Sequence, residues 1–172
     1  MAQEEFADGI ALLKADHDEA EALFEKFEQA SGSDKKWAIA QQVCNALKIH
    51  AMIEEEIFYP ASKGVVEESL YDEALVEHDG AKVLINDIMA NGPDDEFFES
   101  KVKVLSEEIE HHVKEEEKPG DGYFAQVREG DVDLVELRDR MAARKEELMQ
   151  QAENGGLPPA ELTAVQAEQT PA

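Results

Sequence analysis

Apolar side chains recur every three or four positions through most of this chain, the period of a helix that buries one face. In the first stretch Ile10, Leu13, His17, Ala20, Phe24 and Phe27 step by 3, 4, 3, 4 and 3. A second stripe runs Trp37, Ala40, Cys44, Leu47, His50, Glu54 and Ile57. A third runs Tyr71, Leu75, His78, Ala81, Ile85 and Ile88, and a fourth Phe98, Val102, Leu105, Ile109, His112 and Glu116. The segments between them, SGSD, the residues after Tyr59 and Pro60, and NGPDD, carry the turn residues that end helices. The pattern predicts helices over about 5–30, 34–62, 67–91 and 94–118.

Four helices with short connections predict an all-α fold, an up-down-up-down antiparallel four-helix bundle over residues 1–120. A further helix, about 131–152, follows the loop KPGDGYFAQVREGD, and its face of Leu134, Leu137, Met141 and Leu148 suits packing on the bundle. Residues 121–153 are therefore read as a loop and an added C-terminal helix. Residues 154–172 are proline-bearing and mostly small or polar, the composition of a flexible tail or a docking arm, and carry no assigned chemistry.

Every one of the four apolar stripes is interrupted by a histidine, and two of them also by a glutamate. The interruptions repeat: His17 to His78 is 61 residues, and His50 to His112 and Glu54 to Glu116 are each 62. Asp16-His17-Asp18 answers Glu77-His78-Asp79, as expected of a helical hairpin used twice. Two such hairpins bring four histidines and two glutamates to one level of the core.

A single core histidine is more often a hydrogen-bonded packing residue than a ligand, but the set is harder to explain that way. Two facing carboxylates buried without a cation would cost several kcal/mol or be forced to hold protons. Imidazole nitrogens and carboxylate oxygens together suit iron, zinc or manganese. On a helix, positions i and i+4 stack, so each HxxxE offers a nitrogen and a carboxylate to neighbouring ions. The simplest arrangement gives one ion His17 and His50, the other His78 and His112, with Glu54 and Glu116 bridging both. Six protein ligands leave positions open around two metals.

Neighbouring groups read differently. His111 and Glu115 form a rival HxxxE one residue out of register, on the polar face with Lys101 and Glu108. Glu21 lies beside the apolar stripe and reads as surface, with Lys82 its counterpart in the repeat. Glu55, Glu56 and Glu117 fit a solvated face, with a role as partner to a ligating histidine left open. Tyr71, two turns from His78, is either core packing or a proton donor near the metals.

Charge narrows the partners. With 41 Asp+Glu against 16 Lys+Arg and a net charge of -25, the chain lacks the clustered bases that phosphates require, so no nucleic acid and no membrane surface is expected. No apolar run approaches the roughly 20 residues of a membrane helix. The single cysteine, Cys44, makes no internal disulfide and is not needed by the metal set. MAQEEFADG has neither a basic region nor an apolar stretch, so a cytoplasmic location is expected.

His17, the HxxxE of His50 and Glu54 with its following EEIFYP, His78, and the HHVKEEE that holds His112 and Glu116 resemble the hemerythrin-like HHE cation-binding domains over about residues 10–120. The resemblance implies a four-helix bundle around a non-haem di-iron centre, two iron ions bridged by the two glutamates and an oxo or hydroxo group. Zinc and manganese accept the same donors, and iron follows from the resemblance. The oxygen carriers of that family have a fifth histidine where this chain has Lys82, and HxxxxD where it has HxxxE. The four-histidine, two-glutamate set looks more like a bacterial branch that binds or reduces O2, NO or peroxide in oxidative or nitrosative stress or iron handling. Reduction there draws on an electron donor that the sequence leaves unnamed. The alternative is a sensing or iron-holding module without turnover, signalling to a protein partner through the C-terminal helix or tail.

Overall fold

Asp8 opens the first helix: its carboxylate accepts the Ala11 N–H at 2.9 Å and satisfies a donor that the first turn leaves free. Helix α1 (Gly9–Gln29) is followed by α2 (Ser33–Ile53), with Gly32 between them at φ +94°, a conformation that favours glycine. The computed structural model describes residues 5–166, so residues 1–4 and 167–172 of the segments read above lie outside the described residues. After Ile53 the helix widens into one π turn, Glu54–Phe58, and tightens again as α3 (Tyr59–Ser62). Pro60 has no N–H to return to the preceding turn, and the wide turn accommodates that loss. The long second helix expected over 34–62 is thus one rod in three segments.

Helix α4 (Glu68–Asn91) stops at Gly92, φ +71°. Helix α5 (Phe98–Glu117) begins later than expected, because Asp95 turns the chain by accepting the Phe97 N–H at 3.0 Å. Within the segment read as a loop lies a further helix, α6 (Tyr123–Glu129), whose Tyr123, Phe124 and Val127 are buried. Gly122 permits that reversal: a Cβ there would stand 2.4 Å from the Lys118 carbonyl oxygen. Helix α7 (Leu134–Asn154) is capped by Asp133, which accepts from Glu136 N–H at 2.9 Å.

The described residues are all-helical apart from one isolated bridge between Lys63 and Val66. α1 packs on α2 and α4 on α5, the two hairpins of the repeat, while α2 meets α4 and α1 meets α5, which closes a four-helix ring. α7 lies across α1 and α2, with Leu137, Met141 and Leu148 buried.

Two apolar cores result. One gathers Phe24, Phe27, Val43, Leu47, Ile85, Phe98 and Leu105; the other gathers Ile10, Leu13, Ile53, Phe58, Tyr59, Phe124 and Met141. His17 on α1 and His78 on α4 fall between these two sets, Leu13 and Ala74 belonging to one core and Ala20 and Ala81 to the other. Among the described residues no helix is long and apolar enough to cross a membrane.

Residues 157–165, in the segment read as a flexible tail or docking arm, run back over α2 and α4. Asn86 and Ala160 exchange two hydrogen bonds, at 2.8 and 2.9 Å. The buried Asp79 carboxylate accepts the backbone N–H groups of Thr163, Ala164 and Val165 at 2.9, 2.6 and 2.6 Å.

Candidate metal centre

α1 brings His17, α2 His50, the π turn Glu54, α4 His78, and α5 both His112 and Glu116. All six are buried, Glu54 completely and Glu116 to 2% exposure. They form two overlapping clusters, His17, His50, Glu54 and Glu116, and Glu54, His78, His112 and Glu116. One donor atom from each member lies within 4.8 Å of the others, so the glutamates are common to both clusters.

The sharing is resolved atom by atom. Glu54 turns Oε1 to His50 Nε2 at 3.2 Å and Oε2 to His78 Nε2 at 3.0 Å. Glu116 turns Oε1 to His112 Nε2 at 3.2 Å and Oε2 to His17 Nε2 at 3.3 Å. Each carboxylate therefore addresses both histidine pairs, one oxygen to each. Within the pairs, Nε2 faces Nε2 at 3.2 Å for His17 and His50 and at 3.1 Å for His78 and His112.

A ring of acids fixes the imidazoles from outside. Nδ1–H of His17 donates to Glu117 at 2.7 Å, that of His50 to Asp16 at 3.1 Å, and that of His112 to Glu77 at 3.1 Å. His78 Nδ1 lies 3.5 Å from Glu55 without a hydrogen bond, because Glu55 is engaged by Lys82 at 2.8 Å and by the Thr163 hydroxyl at 2.6 Å. With the proton on Nδ1, the lone pair of Nε2 points inward.

These donors fit a pair of cations. Converging lone pairs repel unless something positive lies between them, and nitrogens about 2.1 Å from one ion at right angles sit roughly 3 Å apart. Glu54 Oε1 and Glu116 Oε2 have no hydrogen-bond partner although both are buried, an expensive condition that a cation relieves.

Protons take the place of cations in the metal-free cluster. Burial opposes charge on His50, but the Glu54 and Asp16 carboxylates outweigh it and raise its pKa to about 10. His112 is held well above its ordinary range against the same desolvation by Glu116 and Glu77, and His17 is raised by Glu116 and Glu117. Burial and the facing Glu116 push the Glu54 carboxyl up, yet His50 and His78 bring it down to about 2. Glu116 is likewise lowered despite its burial, by His112 and His17.

One further group reaches the centre. The Tyr59 hydroxyl donates toward Glu116 Oε1 at 2.6 Å and lies 3.0 Å from Glu54 Oε2, 3.0 Å from His78 Nε2 and 3.4 Å from His112 Nε2. Burial and the two carboxylates hold its pKa well above the ordinary tyrosine value, so it keeps its proton. An α-helical wheel turns position 59 away from position 54, and the π turn brings it back, with Pro60 the one signal in the sequence. Tyr71 packs against the core, edge-on to the Tyr59 ring at 6.3 Å between centroids and under the Lys63 ammonium at 5.6 Å.

His111 is exposed, its Nε2 3.1 Å from Glu77 Oε2, while His112 and Glu116 face the core. Glu21 is exposed, and Glu56 pairs with Arg144 at the surface, as a solvated face requires. Glu55 and Glu117 instead face histidines, as do Asp16 and Glu77, which directly precede His17 and His78 in the repeat. Phe124 of α6 closes this end of the layer, stacked on the His17 ring at 5.8 Å and set edge-on to Phe58 at 5.6 Å.

Comparison with known proteins identifies the family and the fold. The model of the hemerythrin HHE cation-binding domain matches residues 8–119, and the chain belongs to that family. The crystal structure of a hemerythrin HHE cation-binding domain-containing protein from Mycobacterium kansasii superposes with a TM-score of 0.70 and 22% identity, over 88% of this chain and 96% of that one. A DNA nickase of Nostoc sp. strain PCC 7120 is 28% identical over 117 residues, 68% of this chain. The chain spans only 32% of the length of that relative.

Proposed function

We propose that this chain holds two iron ions, one between His17 and His50 and the other between His78 and His112, with Glu54, Glu116 and an oxo or hydroxo group as bridges. The observation that carries this reading is that each buried glutamate turns one oxygen to each histidine pair. Iron rather than zinc or manganese follows from the family resemblance. Bound there, iron supplies one-electron redox chemistry and open positions for O2, NO or a peroxide.

The surrounding side chains fit such a reaction. Asp16, Glu77 and Glu117 hold three imidazoles in rotation, so the nitrogen donors are placed before metal arrives. Tyr59 keeps a proton at Oη on the His78/His112 side, within reach of Glu116 and Glu54. Phe58 and Phe124 exclude bulk water from the end of the layer under α6. The work is that of a cytoplasmic protein in oxidative or nitrosative stress or iron handling, with reduction drawing on an external electron donor.

Rapid mixing of the iron-loaded protein with peroxide and with NO tests this reading. Consumption of either supports it. Full iron loading with no reaction toward O2, peroxide or NO overturns it in favour of sensing or iron holding. One observation favours a sensing role: the Thr163 hydroxyl donates to Glu55 at 2.6 Å, and Glu55 faces His78, which links the C-terminal segment to the centre. We do not carry DNA nicking over from the longer cyanobacterial relative, because a net charge of -25 repels a phosphate backbone.

A further inference from the structure

A cavity of about 1000 Å3 runs from the histidine layer between the helices of the bundle to the C-terminal segment. All four cluster histidines line it, and its walls include Ala20, Leu23, Leu47, Ala81 and Ile85. O2, NO and hydrogen peroxide need only a small fraction of that space, which matches the roughly 300–1,000 Å3 of sites for organic ligands. Pro158, Pro159 and Ala160 form part of its wall, so the returning tail helps to enclose it.

One group on the wall is out of keeping with the charge of the chain. Lys48 is 5% exposed, and its Nζ reaches only a neutral partner, the Leu157 carbonyl oxygen at 3.3 Å. The other lysines on the wall near the histidines are paired, Lys82 with Glu55 at 2.8 Å and Lys145 with Asp16. The acids of the inner wall are also engaged, Asp16 by His50, Glu55 by Lys82 and Glu77 by His112, while Glu19, Glu108, Glu153 and Glu161 are exposed. Burying an ammonium without an anion is costly, and burial holds the Lys48 pKa below the usual lysine value. In a chain with 41 acidic residues, a buried cation that none of the described residues neutralises is the feature an anionic guest would complete.

We propose that this cavity binds an amphipathic carboxylate, a fatty-acid-like molecule whose head pairs with Lys48 and whose chain lies along Leu23, Leu47, Ala81 and Ile85 toward the histidine layer. The charge of Lys48 selects the head and the apolar wall selects the body. The inference does not depend on which metal, if any, the histidines hold.

Calorimetric titration of the full-length protein as purified tests it, with decanoate and decyltrimethylammonium as probes. Decanoate is expected to bind with one-to-one stoichiometry and at least tenfold more tightly than the cationic analogue. Affinity should rise roughly fourfold for each methylene from octanoate to dodecanoate. Lys48→Met should weaken decanoate at least tenfold, Lys48→Arg should stay within a few-fold of the parent, and Ala81→Phe should block binding by filling the cavity. Lys48→Met removes a buried charge, so loss of the fold is not the expected reason for lost binding. No saturable binding, equal affinity for both probes, or an unchanged Kd in Lys48→Met would each overturn the proposal. The last result would place the carboxylate elsewhere, at the metals included.

Discussion

The Tyr59 hydroxyl donates to Glu116 Oε1 across 2.6 Å, joining α3 of one hairpin to α5 of the other. In the metal-free protein this bond joins His112 Nε2, 3.2 Å from the same oxygen, in satisfying a buried carboxylate. Tyr59→Phe should therefore lower the stability of the metal-free protein by about 1–3 kcal/mol while leaving most of the ring packing in place. With metal bound, the carboxylate has another partner and the deficit should shrink. Thermal melts of both forms of both proteins measure the difference.

Removing the outer carboxylates should separate three histidines from the fourth. Asp16→Asn, Glu77→Gln and Glu117→Gln each remove an anionic acceptor from an Nδ1–H and should weaken metal binding by roughly 10–100-fold. Glu55→Gln should cost less, because His78 Nδ1 has no hydrogen bond to lose. Competition with a chromophoric chelator ranks the four variants, and a larger loss in Glu55→Gln would contradict the assignment.

Much of this site is legible in the sequence because helical period and the 61- and 62-residue repeat both mark the same six positions. The choice of His112 over His111 follows from period alone, since one step of the helix turns a side chain from the core to the surface. Tyr59 escapes that reasoning because the backbone leaves the 3.6-residue period where it would have to be counted. Glu55 and Glu117 escape it for another reason: an acid beside an apolar stripe looks the same whether it faces water or a histidine on another helix. α6 is hidden by the glycines around it, although Tyr123 and Phe124 are large apolar residues in a segment otherwise read as loop. The path of the tail depends on Asp79 and Asn86, whose backbone acceptances have no periodic signature.

The pH dependence of the metal-free protein follows from His50 and Glu54. His50 is raised from 6.5 to about 10 in the fold, so its stabilisation is fully present below pH 6.5 and is lost as pH rises through about 10. Glu54 is lowered from 4.5 to about 2, so its contribution is full above pH 4.5 and is lost as pH falls toward 2. Denaturant midpoints should thus be highest between pH 4.5 and 6.5 and decline on both sides. Metal uptake near neutral pH should release protons, visible as a buffer-dependent heat in calorimetry.

α6 should matter for the centre and not only for the fold. Phe124→Ala empties a buried site against Phe58 and His17 and should cost about 3–5 kcal/mol. It should also admit water to the layer, seen as faster hydrogen exchange at the start of α5's last turn and faster loss of bound metal to a chelator. Unchanged metal release in a variant that still folds would assign α6 a packing role alone.

Metal content together with the ultraviolet-visible spectrum of the protein as isolated tests the shared-glutamate centre most directly, with Glu54→Ala/Glu116→Ala as comparison and far-ultraviolet circular dichroism to establish that it is helical. The account predicts about two irons per chain with oxo-bridge absorption, and loss of both features in the helical double variant. Zinc alone, no bound metal, or iron retained in full by the double variant would contradict it.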